Sequence, residues 1–258
     1  MRTQNFFLSK IRLLGALCLA SLSVLITGCT AEDIFTTDKH LIEEAKSLAP
    51  IFTETKDTDH VWDTIKKAWG LSERLNYVPI VIYDDLMNPV RFQTKGKSLW
   101  NIPVNVSNSK RIFNYDARTD KKDNSAKNYA DINALDLGNS KQASYFSAIL
   151  HGIEKETFVN LCKHYPQHSL VPVIVTRSFG PDTTYTLGFM FSVTNPALQT
   201  RQDVLPNQER FLEIWNSISS DDVTYFYGEN FPADYINTTV LANGEPINSL
   251  IPASKYLK

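Results

Sequence analysis

The sequence predicts an α+β domain with a mainly antiparallel sheet and several short amphipathic helices. Three observations carry that class. Apolar residues recur at helical spacing in short blocks, at 38–49, 58–70, 154–165 and 207–218. Elsewhere they alternate or run together over short stretches closed by Gly, Pro or Asn turns, as strands do. The regular strand–helix alternation of a parallel, doubly wound sheet is missing.

The chain begins with a different kind of segment. Arg2, Lys10 and Arg12 precede an uncharged apolar run over 13–28. Its 16 residues fall short of the about 20 that a bilayer-spanning helix needs. A basic lead, a short apolar core and small residues at its end form a secretory signal. The signal closes on Ile26-Thr27-Gly28-Cys29, which resembles the lipobox of bacterial lipoproteins: an aliphatic residue, two small ones, then cysteine. The resemblance covers residues 1–29. It implies that 1–28 is a signal peptide removed by cleavage and that Cys29 is the lipidation site. It also implies that acyl chains hold the rest of the protein on a membrane. One chain binds only marginally, at about 0.8 kcal/mol per buried methylene, so two or three are needed for stable attachment. An Asp after the cysteine would resemble an inner-membrane retention signal. Thr30 stands there instead, which points to the outer membrane, with the inner membrane as the alternative.

Composition fits a folded body behind that anchor. Of the 258 residues 43% are hydrophobic, with 14 Phe and 11 Tyr, enough for a packed core. The signal carries three of the 26 basic residues and none of the 28 acidic ones, leaving the remainder at −5. Nucleic-acid binding wants a basic face, so no nucleic-acid partner is expected. Cys18 leaves with the signal and Cys29 carries lipid, so Cys162 is the last thiol and has no internal disulfide partner.

Past a tether over 29–37, Asp38 caps a helix with Leu41, Ile42, Ala45, Leu48 and Ala49 on one face, and Pro50 ends it. Thr58 or Asp59 caps a second, striped by Val61, Trp62, Ile65, Ala68 and Trp69 and closed by Gly70. Residues 78–83 form an aliphatic strand, and Pro79 places its start at a sheet edge. After the Asn88-Pro89 turn, 90–94 and 99–106 read as strands, and 111–116 as one pairing back. Residues 116–142 are polar and poor in large apolar groups, as a loop or linker is. They separate an N-terminal half (38–115) from a C-terminal half (144–258), which either share one core or form two.

In the second half 145–151 is a strand and 154–165 a helix. Its Phe158, Leu161, Cys162 and Tyr165 fall at i, i+3, i+4 and i+7. Residues 170–176 and 183–193 form a hairpin, the second arm alternating Tyr185, Leu187, Phe189, Phe191 and Val193 against smaller residues. Asn207 opens a helix with Phe211, Ile214, Trp215 and Ile218 inward. Val223, Tyr225 and Tyr227 mark a further strand, and 235–241 one more before the Asn243-Gly244 turn.

Signs of chemistry are sparse. Cys162, His164, His168 and His151 are the metal-like cluster, but Pro166 breaks the helix between the two nearer histidines. A buried thiol and two surface histidines is the simpler expectation. Asp131-Ile132-Asn133 begins like a calcium loop, yet Leu135 and the lack of a spaced Glu break the pattern. No Gly-x-Ser-x-Gly, Ser-x-x-Lys or His-Glu-x-x-His motif occurs. No catalytic residue, cofactor or metal site is therefore assigned. The expectation is a membrane-anchored, non-catalytic docking component of an envelope assembly of secretion, pilus or conjugation type, with a protein partner. The alternatives are an envelope-polymer hydrolase of unfamiliar type and a ligand-binding lipoprotein that uses Trp62, Trp69, Trp100 or Trp215.

Overall fold

The computed structural model describes residues 34–68, 76–116, 130–138, 144–179 and 182–250. The lipobox with Cys29, the helix end at Trp69-Gly70, most of the polar stretch after Asp116 and the Gly180-Pro181 turn lie outside the described residues.

The fold is α+β, and its principal sheet is mostly antiparallel. Five strands close on themselves: β1 (Val78–Ile82), β5 (Tyr145–Ile153), β2 (Ser98–Ser107), β6 (Ser169–Phe179) and β7 (Asp182–Ser192), in that order. β1 pairs antiparallel with β5, placing Ile80 opposite His151, and closes the barrel through a short parallel pairing with β7 at Ile80↔Phe189 and Val81↔Met190. The first strand is therefore interior and buried along its whole length, not at an edge. Pro79 is tolerated because the parallel pairing begins only after it. β5 and β2 pair over their full lengths, and β6 and β7 form the expected hairpin. β2 and β6 meet only at Asn105↔Thr176 and Val106↔Val175.

Inside the barrel the side chains are small enough to close-pack. Gly188 sits where Val81, Leu150 and Val175 converge, and a Cβ there would lie 2.9–3.2 Å from their methyl carbons. At one end the Trp100 indole lies over Gly152, edge-on to Tyr77 at 5.3 Å. One continuous hydrophobic core draws on residues from both 38–115 and 144–250, so the two halves share a barrel.

A second, three-stranded sheet orders β4 (Ala130–Asp136), β3 (Ser109–Asp116) and β8 (Thr239–Leu241). β3 pairs with β4 and with β8, not back onto the preceding strand. β4 lies in the stretch expected to be a loop. Its polar residues are what fasten it. Asn133 Oδ1 accepts from the Val193 and Ala134 amides at 2.9 and 2.8 Å, and its Nδ2 donates to Asn114 Oδ1 at 3.0 Å. Ser192 Oγ donates to the Ala134 carbonyl at 2.6 Å. This clamp ties the small sheet to the end of β7.

Helices cover the outside. α1 (Lys39–Leu48) is capped by Asp38 as expected, but it buries only Ile42, and Leu48 is exposed. α2 (Thr58–Ala68) is capped one residue earlier than expected, with Asp57 Oδ1 accepting from the His60 amide at 3.1 Å. Its Trp62 packs on Phe158 of α4 (Lys155–His164) at 5.5 Å. Residues 90–94 are not a strand: Asn88 accepts from the Val90 and Arg91 amides and Pro89 takes the first turn of α3 (Pro89–Gln93). α5 (Gln208–Ile218) is capped by Asn207 and buries the predicted stripe. Residues 223–227 are likewise helical, in α6 (Asp221–Tyr227) capped by Ser220. The expected strand over 235–241 divides: 235–237 end α7 (Phe231–Asn237), and β8 takes 239–241.

The tether joins the body early. Ile34 is buried, and Thr36 exchanges two backbone hydrogen bonds with Tyr185, at 2.9 and 2.7 Å. Among the described residues no helix is long and apolar enough to cross a membrane.

Candidate functional site

A buried, charge-rich corner lies where β1 leaves the barrel, at Tyr83-Asp84-Asp85-Leu86. Asp84 and Asp85 are both buried. The chain turns sharply there because Asp84 Oδ1 accepts from the Leu86 amide at 3.0 Å and opens a single 3₁₀ turn over Asp85–Met87. The other carboxylate oxygen of Asp84 accepts from the Tyr165 hydroxyl at 2.7 Å. That phenol, just past the end of α4, is held by stacking on Phe191, with ring centroids 4.6 Å apart.

Asp85 faces the other way, into a charged network. Arg91 Nη1 reaches it at 2.7 Å and Arg210 Nη2 at 3.0 Å. Arg210 also reaches Asp131 at 3.3 Å, and both guanidinium groups reach Glu213 at 3.0 Å. Two guanidinium groups thus face three carboxylates before Asp84 is counted. Asp85 keeps its charge, since the Arg210 and Arg91 guanidinium groups lower its pKa against the cost of burial. Asp84 has no cation of its own. Burial, then the adjacent Asp85 charge, raises its pKa from 3.8 to about 7, against the Tyr165 hydrogen bond. Near neutral pH this carboxyl group can therefore hold or release a proton inside the core.

The sequence-expected candidates fall elsewhere. Cys162 is buried as expected, and burial pushes its thiol up to about 12, so it is not a poised nucleophile. His164 is exposed, but His168 is buried, contrary to its expected place on the surface. It sits edge-on to Tyr115 and Tyr165, both at 5.1 Å. His151 lies far along β5 and stacks on Phe92 at 3.9 Å. Among the described residues no group of three or more His, Cys, Asp or Glu is placed to hold a metal ion. Asp131 and Asn133 are not a loop pair: one meets Arg210 and the other clamps β7. Trp62 and Trp215 are buried in the core, and Trp100 caps the barrel. Trp69 lies outside the described residues.

Sequence reasoning missed the Asp84–Asp85 pair. The available signal was two adjacent acids directly after an all-aliphatic strand, which forces at least one of them inward.

A second feature is on the surface. α6 turns Tyr225 and Phe226 outward, 85% and 58% exposed. The two rings meet edge to face at 5.2 Å. Exposed Val90 on α3 belongs to the helix beside them. Most aromatic side chains of this size are buried.

No protein-family model matches the chain, and no curated protein matches its sequence. Three solved structures are similar to it in chain path. YkqA from Bacillus subtilis is 16% identical with a TM-score of 0.46, over 70% of this chain and 60% of that one. A yeast gamma-glutamyl cyclotransferase specific to glutathione is 11% identical with a TM-score of 0.39, over 64% of this chain and 87% of that one. At5g39720.1 from Arabidopsis thaliana is 12% identical with a TM-score of 0.33, over 49% and 76%. This chain thus spans less than two thirds of YkqA.

Proposed function

We propose that the protein is a lipoprotein anchored through Cys29 to the outer membrane, and that its body is a non-catalytic docking component of an envelope assembly. The lipobox-like residues 26–29 at the end of a secretory signal support the location. The observation that carries the docking role is the outward pair Tyr225 and Phe226 on α6, whose rings meet at 5.2 Å. Contiguous exposed apolar groups of this kind mark contact surfaces, and tyrosine-rich contacts dominate binding energy. The perturbed groups support the same role. Asp84, Asp85 and Cys162 are turned into the core and engaged there with Tyr165, Arg91, Arg210 and Thr55.

Two measurements test this. Cys29→Ser should leave an unprocessed chain that no longer fractionates with membranes as the mature lipoprotein. Unchanged processing and membrane association of that variant overturns the anchor. Affinity capture from membranes solubilised in several mild detergents should recover a stoichiometric partner with the wild type and lose it with Tyr225→Ser/Phe226→Ser. Recovery of a lone monomer under all detergents, or a partner kept by the double variant, overturns the docking role.

A further inference from the structure

The outward aromatic pair on α6 stands in a field of one sign. From Phe211 to Leu250 the chain carries six acidic residues and no Lys, Arg or His. The first of them, Glu213, is paired with Arg91 and Arg210. Asp221, Asp222, Glu229 and Asp234 are exposed, and among the described residues none of them is in an ion pair. This stretch therefore presents carboxylates that nothing in the fold neutralises.

The acids are placed around the rings. On α6, Asp222 precedes Tyr225 by three residues and Phe226 by four, and Asp221 precedes Tyr225 by four. That spacing sets both carboxylates on the helix surface beside the exposed rings. The aromatic line continues from there, Phe226 to Tyr227 at 6.3 Å and Tyr227 to Phe231 at 5.5 Å. Tyr227 is half-buried and lines a groove of about 410 Å³ between the α6–α7 corner and strands β2 and β6. Its hydroxyl donates to Asn101 Oδ1 at 3.1 Å, which fixes the ring at the groove wall. Glu229 and Asp234 line the same groove. The cation in that lining, Arg177, is already engaged. Ridge and groove are thus neighbours joined by aromatic rings, with unpaired acids at each.

Charge separates the occupants open to such a surface. Anionic lipid headgroups repel the exposed carboxylates. A second copy docked through the same face about a two-fold axis sets acid against acid. A polypeptide with Lys and Arg among apolar residues meets complementary groups throughout. Its side-chain stems lie on Tyr225 and Phe226, and its cations meet ring faces and carboxylates. We propose that the partner of the α6 ridge is a basic segment of another protein, held by the aromatic pair and selected by Asp222, Glu229 and Asp234, with one long basic side chain reaching into the groove beside Tyr227. This rests on the docking role proposed above and names the chemistry of its partner.

The test is made on the full-length chain in its own membranes. Phe226 is replaced by the photo-crosslinker p-benzoylphenylalanine, and the crosslinked peptide is read by mass spectrometry. The captured segment should belong to another protein and carry Lys or Arg near the crosslink. Asp222→Asn/Glu229→Gln/Asp234→Asn should lower the yield about tenfold, and raising salt from about 0.1 to about 0.5 M in isolated membranes should lower it several-fold. Asp222→Glu/Glu229→Asp/Asp234→Glu, which keeps every charge, should retain most of it. Glu44→Gln/Glu54→Gln, exposed acids on α1 and after it, should change nothing. A crosslink to lipid, to a second copy of this chain or to a segment without Lys and Arg overturns the proposal. So does a loss of yield as large in the charge-keeping variant as in the neutral one. A crosslink that Tyr225→Ser abolishes but that is indifferent to the charge variants and to salt also overturns it, and leaves the docking role standing. No crosslink under any condition, with no partner recovered by affinity capture, overturns the docking role and this inference with it.

Discussion

Replacing Asp84 by asparagine should make the protein's stability less dependent on pH in a specific direction. In the folded state burial and the Asp85 charge raise the Asp84 pKa from 3.8 to about 7. The folded chain therefore holds a proton there that the unfolded chain releases. Stability from this group is complete below the unfolded value and is lost as pH rises through the folded one. One pKa unit corresponds to about 1.4 kcal/mol, so raising the pH from 5 to 8 costs the wild type about 3 kcal/mol at this site. The carboxamide of Asp84→Asn is neutral at every pH and keeps the side-chain oxygen that accepts from the Leu86 amide. The variant should match the wild type within about 1 kcal/mol at pH 5 and exceed it by about 3 kcal/mol at pH 8. Urea unfolding followed by tryptophan fluorescence at the two pH values measures the difference directly. Other titrating groups cancel, because both proteins carry them. A wild-type-minus-variant difference that stays flat from pH 5 to 8 refutes the idea that Asp84 is protonated in the core.

The buried histidines act with the opposite sign. Burial lowers both His151 and His168 from 6.5 to about 3, so stability is complete above the unfolded value and is lost as pH falls below it. At pH 5 each should cost about 2 kcal/mol relative to pH 7.5, and His151→Phe should remove its share. A variant whose acid limb keeps the wild-type slope, by thermal melts across pH 4.5–7.5 in steps of about one unit, contradicts this. Within the barrel, Gly188→Ala places a Cβ 2.9 Å from Val175 and 3.1 Å from Val81. It should destabilise by about 1–3 kcal/mol through overpacking, and an unchanged denaturation midpoint means that the barrel interior is looser than these contacts require.

Most of the buried framework was legible because its periodicity is strong. The β6–β7 hairpin, α4 and α5 lie where alternation and helical spacing place them. The α+β class follows from these elements. The errors cluster where side-chain type and capping disagree. In Asp221–Tyr227 the alternating Val223, Tyr225 and Tyr227 favour a strand, yet Ser220 caps a helix and Asp221 and Asp222 complement its first turn. Asn88-Pro89 is as much a helix start as a turn, and the structure uses it as one. β4 was hidden because its stability is not in its own residues' apolarity but in what Asn133 and Ala134 bond to some sixty positions away. The acid pair at Asp84 is of the same kind. The adjacency of two carboxylates is visible in sequence, but the absence of a cation beside one and the presence of two beside the other is a tertiary fact.

The backbone pairing of Thr36 with Tyr185, together with the burial of Ile34, sets how long the leash can be. If lipid sits on Cys29, five peptide links separate it from the buried Ile34. Fully drawn out, they reach about 18 Å. The barrel would then ride close to the lipid headgroups, and a partner of the kind proposed for the α6 ridge would meet it near the membrane surface.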